Sequence, residues 1–566
     1  MAVFKYQKHD NNVLITPGKL WGGITRPFMT TLHKKIDEME ITEVLPIKSL
    51  EEALLWKPLS ESLPVIHLKD RANYSINGRD YKCHERFLTS KRLHNQGLPK
   101  TLICHDMQGG YLNDRFVNGT KSSNEYTFYN WSVIDTFVYF SHHFITIPPI
   151  GWINAAHKHG VKVLGTLITE WTDGNTLWLQ VFSNLEKRDN LVDKLVEICK
   201  YYKFDGYLFN VENELESENI ENMIETVSLL RTKLKTAITH SEVIWYDSVS
   251  METGKLIWQN QLNNHNKLAF QACDGIFLNY NWTEEDLAKS VANAGNRVID
   301  VYVGVDVFGR NCIGGLDSYK SLEIIRKYDL SVAIFAPGWT YETLSDKNKF
   351  NVVEDTFWRK LYPFLYIHIP CTLPFTTYFC RGYGSKKIEN FVLSSLDAWY
   401  DLSKLNYQPS VPLCLQDGNF PCNSYVDGEA VIGGGCLRLN GNNENTSYHR
   451  IFVCHFEIKS TLYFEITVKA LKPYDSHKIF LGALDPYGMP YKMEFGIQGD
   501  NNMFFNNCDD YSCIIPDSKI YNLTLENGWL LHKLKCEMVG IIVEVAIETE
   551  EPLLIGHLFI NDGSSS

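Results

Sequence analysis

Eight apolar, β-rich runs, all within residues 101–337, constrain the fold of this 566-residue chain more than any other feature. Most of them are separated by stretches whose apolar residues recur at helical spacing. The strand runs are 101–107, 134–142, 161–168, 204–211, 242–249, 274–280, 298–305 and 331–337, and the helical stretches are 189–202, 220–235, 284–294 and 316–328. Strands that are apolar throughout are typical of parallel sheets with both faces covered. Because the count reaches eight and stops, the sequence predicts a (β/α)8 TIM barrel over residues 96–370. A doubly wound open sheet is the alternative.

The sequences before and after the predicted barrel show different patterns of apolar residues. Residues 1–95 are irregular apart from a short predicted helix at 50–56, which favours an N-terminal extension packed on the barrel. After residue 370, alternating apolar segments separated by turn residues predict one or two antiparallel β-sandwich modules over 371–566. The clearest alternating segments are 450–458, 461–471, 477–484 and 541–548. One helix is predicted in this part, at 391–402.

Composition narrows the range of partners. The chain has 54 Lys and Arg against 67 Asp and Glu, a net charge of −13. This acidic balance argues against non-specific binding to nucleic acid or to an anionic membrane surface. No apolar run is long enough to span a bilayer, and the first residues, MAVFKYQKHDNN, lack the apolar stretch of a signal peptide. The fourteen Cys show no CxxC spacing. These features predict a cytosolic protein, and the 13% of aromatic residues would suit sugar stacking.

The end of the fourth predicted strand carries polar residues that a strand core would exclude. Here the sequence reads Phe209-Asn210-Val211-Glu212, and residues two apart on a strand point to the same side. Asn210 and Glu212 would therefore project together into the barrel mouth, where barrel enzymes place their chemistry. A solvated loop that leads into a helix, with Asn as a cap, is the structural alternative.

An amide beside a carboxyl suits one kind of glycoside cleavage. A Glu near apolar walls has a raised pKa and can protonate the leaving oxygen. A sugar with a 2-acetamido group can supply its own nucleophile, the amide oxygen, if the protein holds that group. Asn offers one acceptor and two donors for this purpose. Glu212 as acid/base and Asn210 as acetamido clamp are one coherent hypothesis.

The segment FDGYLFNVENE (204–214) resembles the catalytic strand of glycoside hydrolase family 85, the endo-β-N-acetylglucosaminidases. It also echoes the chitinase motif DGxDxDxE, but Leu208 and Asn210 stand where chitinases have Asp, which favours family 85. Further blocks are similar to the family in the same order: CHDMQGGYLNDR (104–115), YFSHHFITIPP (139–149), GTLITEW (165–171), VIWYDSV (243–249), DGIFLNYNW (274–282), YVGVDVFGRN (302–311) and FAPGWTYE (335–342).

The resemblance implies roles for further residues. Tyr246 would lie near the reacting acetamido group and donate to it. Trp258 and Trp282, with Trp171 and Trp339, are candidate platforms for sugar rings, although core packing explains any single Trp equally well. Candidate polar contacts to sugar come from the remaining strand ends, at Glu170, Asp306, Gln108, Gly109 and His143. His142 and His143 are adjacent and would face opposite sides, which argues against a metal site.

The resemblance implies cleavage of the β-1,4 bond between the two core N-acetylglucosamines of N-glycans, free or on glycopeptides and misfolded glycoproteins. Configuration would be retained through an oxazoline, and an acceptor sugar could replace water. No cofactor or metal is expected, and no phosphate-binding Gly-rich motif or GxSxG elbow occurs. A chitinase-like hexosaminidase and a non-catalytic glycan-binding barrel are the alternatives.

Overall fold

A computed structural model describes residues 42–60, 62–79, 91–410, 423–440, 447–472, 476–498, 502–507 and 519–563. Thr42–Pro58 and the described residues from Leu63 onward form one compact unit. In the other unit, the described residues 59, 60 and 62 form neither helix nor strand. Most of the predicted N-terminal extension lies outside the described residues. Among those described, no helix combines the length and apolarity needed to cross a bilayer.

Eight parallel strands form a closed barrel, as predicted. In chain order they are β1 (Thr101–His105), β2 (Thr136–Tyr139), β3 (Lys162–Glu170), β4 (Gly206–Glu212), β5 (Glu242–Tyr246), β6 (Gly275–Leu278), β7 (Val301–Asp306) and β8 (Ser331–Phe335). Each strand pairs with its neighbours in sequence, and β8 pairs with β1 to close the ring. The open-sheet alternative is therefore excluded.

The structure contains the short helix and the four barrel helices predicted from the sequence, together with helices that the sequence analysis did not predict. They are α1 (Leu50–Leu55), α2 (Ile150–Lys158), α3 (Trp171–Phe182), α4 (Leu185–Tyr202), α5 (Ile220–Ala237), α6 (Lys267–Ala272), α7 (Glu284–Ala294), α8 (Tyr319–Ile325), α9 (Trp339–Glu342) and α10 (Phe350–Leu361). Helix α7 begins at a capping box in which Thr283 and Asp286 satisfy each other's backbone N–H groups. Short 3₁₀ turns, not an α-helix, connect β1 to β2.

Alternation along the strands fills the barrel. Every second side chain points inward, and the buried inner cluster includes Leu102, Val138, Leu164, Leu208 and Ile244. β4 starts at Gly206, whose φ of +137° is unfavourable for other residues, and a Cβ there would lie 1.9 Å from the carbonyl oxygen of Glu242. The glycine therefore lets β4 approach β5 closely at the amino-terminal end of the barrel.

The C-terminal region consists of antiparallel strands, as predicted. One sheet contains Phe375–Thr377, Ser424–Asp427, Gly435–Leu439, Thr461–Ala470, Lys519–Thr524, Leu530–Glu537 and Leu553–Asp562, and the other contains Ser447–Ile458, His477–Leu484, Pro490–Gln498, Asn502–Asn507 and Gly540–Thr549. The rings of Phe464 and Phe495, one from each sheet, lie 5.6 Å apart. The two sheets thus face each other across an apolar interior.

Smaller sheets link the two regions. Arg71–Asn77 pairs with Arg92–His94 on one side and with Tyr366–Pro370, which follows the barrel, on the other. Two short pairs, Tyr383–Gly384 with Trp399–Tyr400 and Lys387–Glu389 with Val392–Ser395, lie beyond it.

The helix predicted at 391–402 is wrong. The segment instead contains the strands Val392–Ser395 and Trp399–Tyr400. Asn390 and Phe391 adopt φ values of 49° and 69°, the left-handed pair that a two-residue hairpin turn requires. The turn sends the chain back along Lys387–Glu389 before a helix can begin.

Candidate active site

A cleft of about 350 Å³ opens where the barrel strands end. Its position at the carboxyl edge of the strands is the one that barrel enzymes use for catalysis. The residues that line it come from almost every strand end around the ring: Cys104, Asp106, Phe140, His142, Leu208, Asn210, Glu212, Tyr246, Trp258, Phe277, Asn279, Tyr280, Asn281, Asp306, Arg310 and Phe335.

Asn210 and Glu212 come together in this cleft. Both project inward from β4, and Asn210 Nδ2 donates to Glu212 Oε1 over 3.3 Å. Asn210 is 2% exposed, and its buried Oδ1 accepts no hydrogen bond from the described residues. A buried amide oxygen without a partner is costly. This atom is therefore suited to accept a hydrogen bond from a ligand.

The surroundings of Glu212 favour its protonated form. Burial raises the pKa of the Glu212 carboxyl, and the nearby negative charge of Glu170 raises it further. The hydrogen bond from Asn210 and the charges of His142 and Arg310 oppose the increase without cancelling it. A carboxyl with a raised pKa in a partly apolar cleft has the properties of a general acid.

Tyr246, the last residue of β5, reaches the same cleft. Its hydroxyl donates to Asn279 Oδ1 over 3.0 Å, and Asn279 Nδ2 donates to Asn260 Oδ1 over 2.8 Å. Burial keeps the pKa of the Tyr246 phenol well above its ordinary value. The phenol is therefore a neutral donor held by an amide chain. The neighbouring Asp247 points away and accepts from the backbone N–H groups of Gln259 and Asn260.

Asp306 and Arg310 form the opposite wall. Asp306, at the end of β7, is 1% exposed and accepts from Arg310 Nε over 2.9 Å. The Arg310 guanidinium lies over the rings of Phe308 and Phe335. This arrangement presents a fixed cation to the cleft.

Only some of the other site residues predicted from the sequence line the cleft. Trp258 lines the cleft, whereas Trp282 lies in an adjoining hollow that shares Tyr280 and Asn281, and its Nε1 donates to Gly304. Glu170 contacts the cleft through His142. The other predicted contacts lie outside the cleft lining: Trp171, Trp339, Gln108, Gly109 and His143.

These outlying residues have local explanations. Trp171 begins α3 and is 63% exposed. Trp339 packs edge-to-face on Phe308 at 4.9 Å. His143 lies near Tyr111 instead of facing the cleft, so the neighbouring His142 is the histidine that the structure brings to the site.

Sequence reasoning assigned no site role to several polar lining residues, among them Asp106, Asn279, Tyr280 and Arg310. Asp106, Asn279 and Tyr280 lie at the ends of predicted strand runs, and Arg310 lies five residues beyond another, so the signal was present in their location. Nothing in local sequence distinguishes a strand-end residue that faces the mouth from one that turns outward. Within the described ranges, no group of three or more His, Cys, Asp or Glu side chains could hold a metal ion.

Comparison with known proteins agrees with this geometry. Residues 111–387 match the model of glycosyl hydrolase family 85. The cytosolic endo-beta-N-acetylglucosaminidase of Homo sapiens is 46% identical over 366 residues, which is 64% of this chain and 47% of that protein. The corresponding protein of Mus musculus is 44% identical over the same shares. The chain thus spans about half the length of these relatives.

A solved structure supports the architecture over nearly the whole chain. The glycoside hydrolase domain of Endo-D from Streptococcus pneumoniae R6 superimposes with a TM-score of 0.67, covering 93% of this chain and 84% of that one. Its sequence identity is 18%, so this comparison establishes the fold alone.

Proposed function

We propose that the chain is a retaining endo-β-N-acetylglucosaminidase that cleaves the β-1,4 bond of the N,N′-diacetylchitobiose core of N-glycans. The observation that carries the proposal is the pairing of a carboxyl that favours its proton with a buried amide whose oxygen lacks a partner, two residues apart at the barrel mouth. The match to the family 85 model and the names of the relatives support the same activity.

In the first step, Glu212 acts as the general acid. Its proton passes to the glycosidic oxygen as the bond from that oxygen to the anomeric carbon breaks. The acetamido oxygen of the same sugar donates an electron pair to the anomeric carbon and forms an oxazolinium ion. No protein nucleophile is needed in this mechanism, and the side chain that contacts Glu212 on β4 is the amide of Asn210.

Asn210 and Tyr246 orient the acetamido group. Asn210 Oδ1 accepts the acetamido N–H, which turns the carbonyl oxygen toward the anomeric carbon and stabilises positive charge on the nitrogen. The Tyr246 hydroxyl, neutral at all physiological pH values, exchanges its bond to Asn279 for one to the substrate. Both groups are fixed before the substrate arrives, so little reorganisation accompanies the reaction.

In the second step, the Glu212 carboxylate removes a proton from water. The water oxygen attacks the anomeric carbon, the bond to the acetamido oxygen breaks, and the hemiacetal keeps the β configuration. An acceptor sugar hydroxyl in place of water gives transglycosylation. Glu212 gives up one proton in the first step and regains one from water in the second, so the carboxyl is restored for the next turnover.

The substrates proposed are N-linked oligosaccharides, free or attached to glycopeptides and misfolded glycoproteins, in the cytosol. The relatives' names include the word cytosolic, and the aromatic lining of the cleft (Phe140, Trp258 and Tyr280) suits sugar faces. The chemistry of the site selects an N-acetylated sugar, since the proposed nucleophile belongs to that group.

Mass spectrometry of a high-mannose glycopeptide tests the function. Wild-type protein should leave one N-acetylglucosamine on the peptide and release the remaining glycan, and NMR should show the β anomer first. Glu212→Gln is the matched inactive control. Cleavage of chitin oligomers but not the glycopeptide would favour the chitinase-like alternative, and glycan binding without product would favour a non-catalytic barrel.

A further inference from the structure

The carboxyl ends of β3 and β4 place two acids side by side. Glu170 is the last residue of β3, Glu212 is the last residue of β4, and the two are register partners. Partners on neighbouring parallel strands project to the same side of the sheet. Ile168 and Asn210, one repeat earlier, are also partners and face the barrel interior. Glu170 therefore stands beside the proposed acid.

A histidine from the neighbouring strand end holds Glu170 in place. His142 follows β2, and its Nδ1 lies 3.2 Å from each carboxylate oxygen of Glu170. The hydrogen bond that His142 donates to Glu170 raises the pKa of His142. The side chain of Glu170 is 26% exposed, against 57% for His142. The imidazole of His142 therefore lines the cleft, while the carboxylate of Glu170 lies behind it, next to Glu212.

We propose that Glu170 and His142 are a positioning pair for Glu212: His142 holds the Glu170 carboxylate beside the Glu212 carboxyl, which retains its proton until the leaving oxygen takes it. The inference rests on the proposed function, because it assumes that Glu212 is the general acid. It gives Glu170 a task different from the sugar contact predicted from the sequence, since Glu170 acts through Glu212.

The charges around this group have opposite signs. Glu170 favours the protonated form of Glu212, whereas His142 and Arg310 favour the anion. The charged groups near His142 are Glu170, Asp106 and Glu212. On the wall formed by Asp306 and Arg310, the titratable groups near Arg310 are Asp306, Tyr246 and Tyr280. Loss of the Glu170 charge should therefore lower the pKa of Glu212, whereas replacement of His142 by a neutral donor that still holds Glu170 should raise it. A merely structural role would not produce these opposite shifts.

The pH dependence of kcat/KM for a glycopeptide tests the pair. Activity falls as the general acid loses its proton, so the basic limb reports Glu212. Glu170→Gln should move this limb to lower pH by about one unit, as loss of a close like charge does, with KM within about twofold. His142→Gln should move it to higher pH, because the Gln amide can still donate to Glu170 while the positive charge that favours the Glu212 anion is lost. Glu214→Gln is the matched control, because this exposed residue lies two positions after Glu212, and its limb should not move.

Two results would overturn the inference. One is a raised KM in Glu170→Gln with an unmoved limb, which would make Glu170 a direct sugar contact. The other is a shift of the same sign in Glu170→Gln and His142→Gln. Both results presuppose a wild-type protein that cleaves the glycopeptide, so they are distinct from failure of the proposed function.

A measurement without turnover covers the remaining case. In protein labelled with ¹³C at the glutamate side-chain carboxyls, the Glu212 resonance is assigned with Glu212→Gln and titrated by NMR. If wild type proves inactive, the proposed function fails, but a lower titration midpoint in Glu170→Gln still supports the pair. An unchanged midpoint overturns it whether or not the protein is an enzyme.

Discussion

The two ends of β4 carry buried carboxyls with opposite properties. Asp205, just before the strand, is 2% exposed and accepts from His157 Nε2 over 2.9 Å, from His240 Nε2 over 2.8 Å and from the Val163 N–H over 2.7 Å. Burial alone would raise the pKa of Asp205, but the hydrogen bonds from His157 and His240 outweigh burial and lower it. At the other end, burial and Glu170 raise the pKa of Glu212.

The comparison teaches that partners, not burial, separate a structural carboxyl from a reactive one. His157 Nδ1 lies 2.8 Å from the carbonyl oxygen of Ile66, so its donation to Asp205 requires an imidazolium. Asp205 therefore stands in a complete ion pair that joins α2 to the base of β4. Glu212 accepts a single hydrogen bond from the described side chains, 3.3 Å long, and keeps its capacity for a substrate.

The largest expected effect is that of Glu212→Gln on turnover. We expect kcat on a glycopeptide to fall by about 10³-fold with little change in KM, because a general acid acts in the transition state. Circular dichroism should show an unchanged fold. Normal turnover in Glu212→Gln would show that Glu212 is not the general acid and would contradict the distinction between a structural Asp205 and a reactive Glu212.

Asp205→Asn should affect the other end of β4. Loss of one member of a buried ion pair leaves the other charge uncompensated, and we expect a loss of about 3 kcal/mol in the free energy of unfolding. Urea denaturation measures this loss. Activity per folded molecule should stay near the wild-type value; a 100-fold drop in kcat would show that the two ends are coupled.

Asn210→Ala should separate the two steps of the reaction. Hydrolysis of a natural glycan should fall by about 10²-fold, as loss of one preorganised polar contact does. A preformed glycan oxazoline, which no longer needs its acetamido group aligned, should still be consumed. Parallel loss of both activities would instead indicate a general binding or structural role.

The smallest expected effect is on the pH dependence of the free energy of unfolding. The lowered pKa of Asp205 stabilises the fold above the unfolded value of about 3.9, and this contribution is lost as the pH falls through the lowered value. The raised pKa of Glu212 has the opposite effect, because ionisation of Glu212 in the folded protein lowers the free energy of unfolding at high pH. Glu212→Gln should therefore raise the melting temperature slightly at pH 8, by about 1–2 °C, and not at pH 4, where Glu212 is protonated in wild type.

The barrel could be predicted because its strands are apolar along their whole length and its helices are amphipathic. The predicted start of α7 at Glu284 agrees with the structure, since Thr283 caps it locally. The helix at 391–402 failed because the hairpin turn at Asn390 and Phe391 depends on backbone conformations that apolar spacing does not report. The distribution of the tryptophans likewise depended on loop paths, which carry no periodicity.

By itself, the sequence determined that eight strands close into a ring and that Asn210 and Glu212 share one side of β4, because alternation along a strand is a local geometric rule. Only the tertiary structure decided what meets them there. Glu170 and Tyr246 come from other strands, while His142 and Arg310 come from loops far apart in the chain. The physical reason is that a charge or hydrogen-bond partner acts through space, and closure of the barrel alone brings distant strand ends within that range.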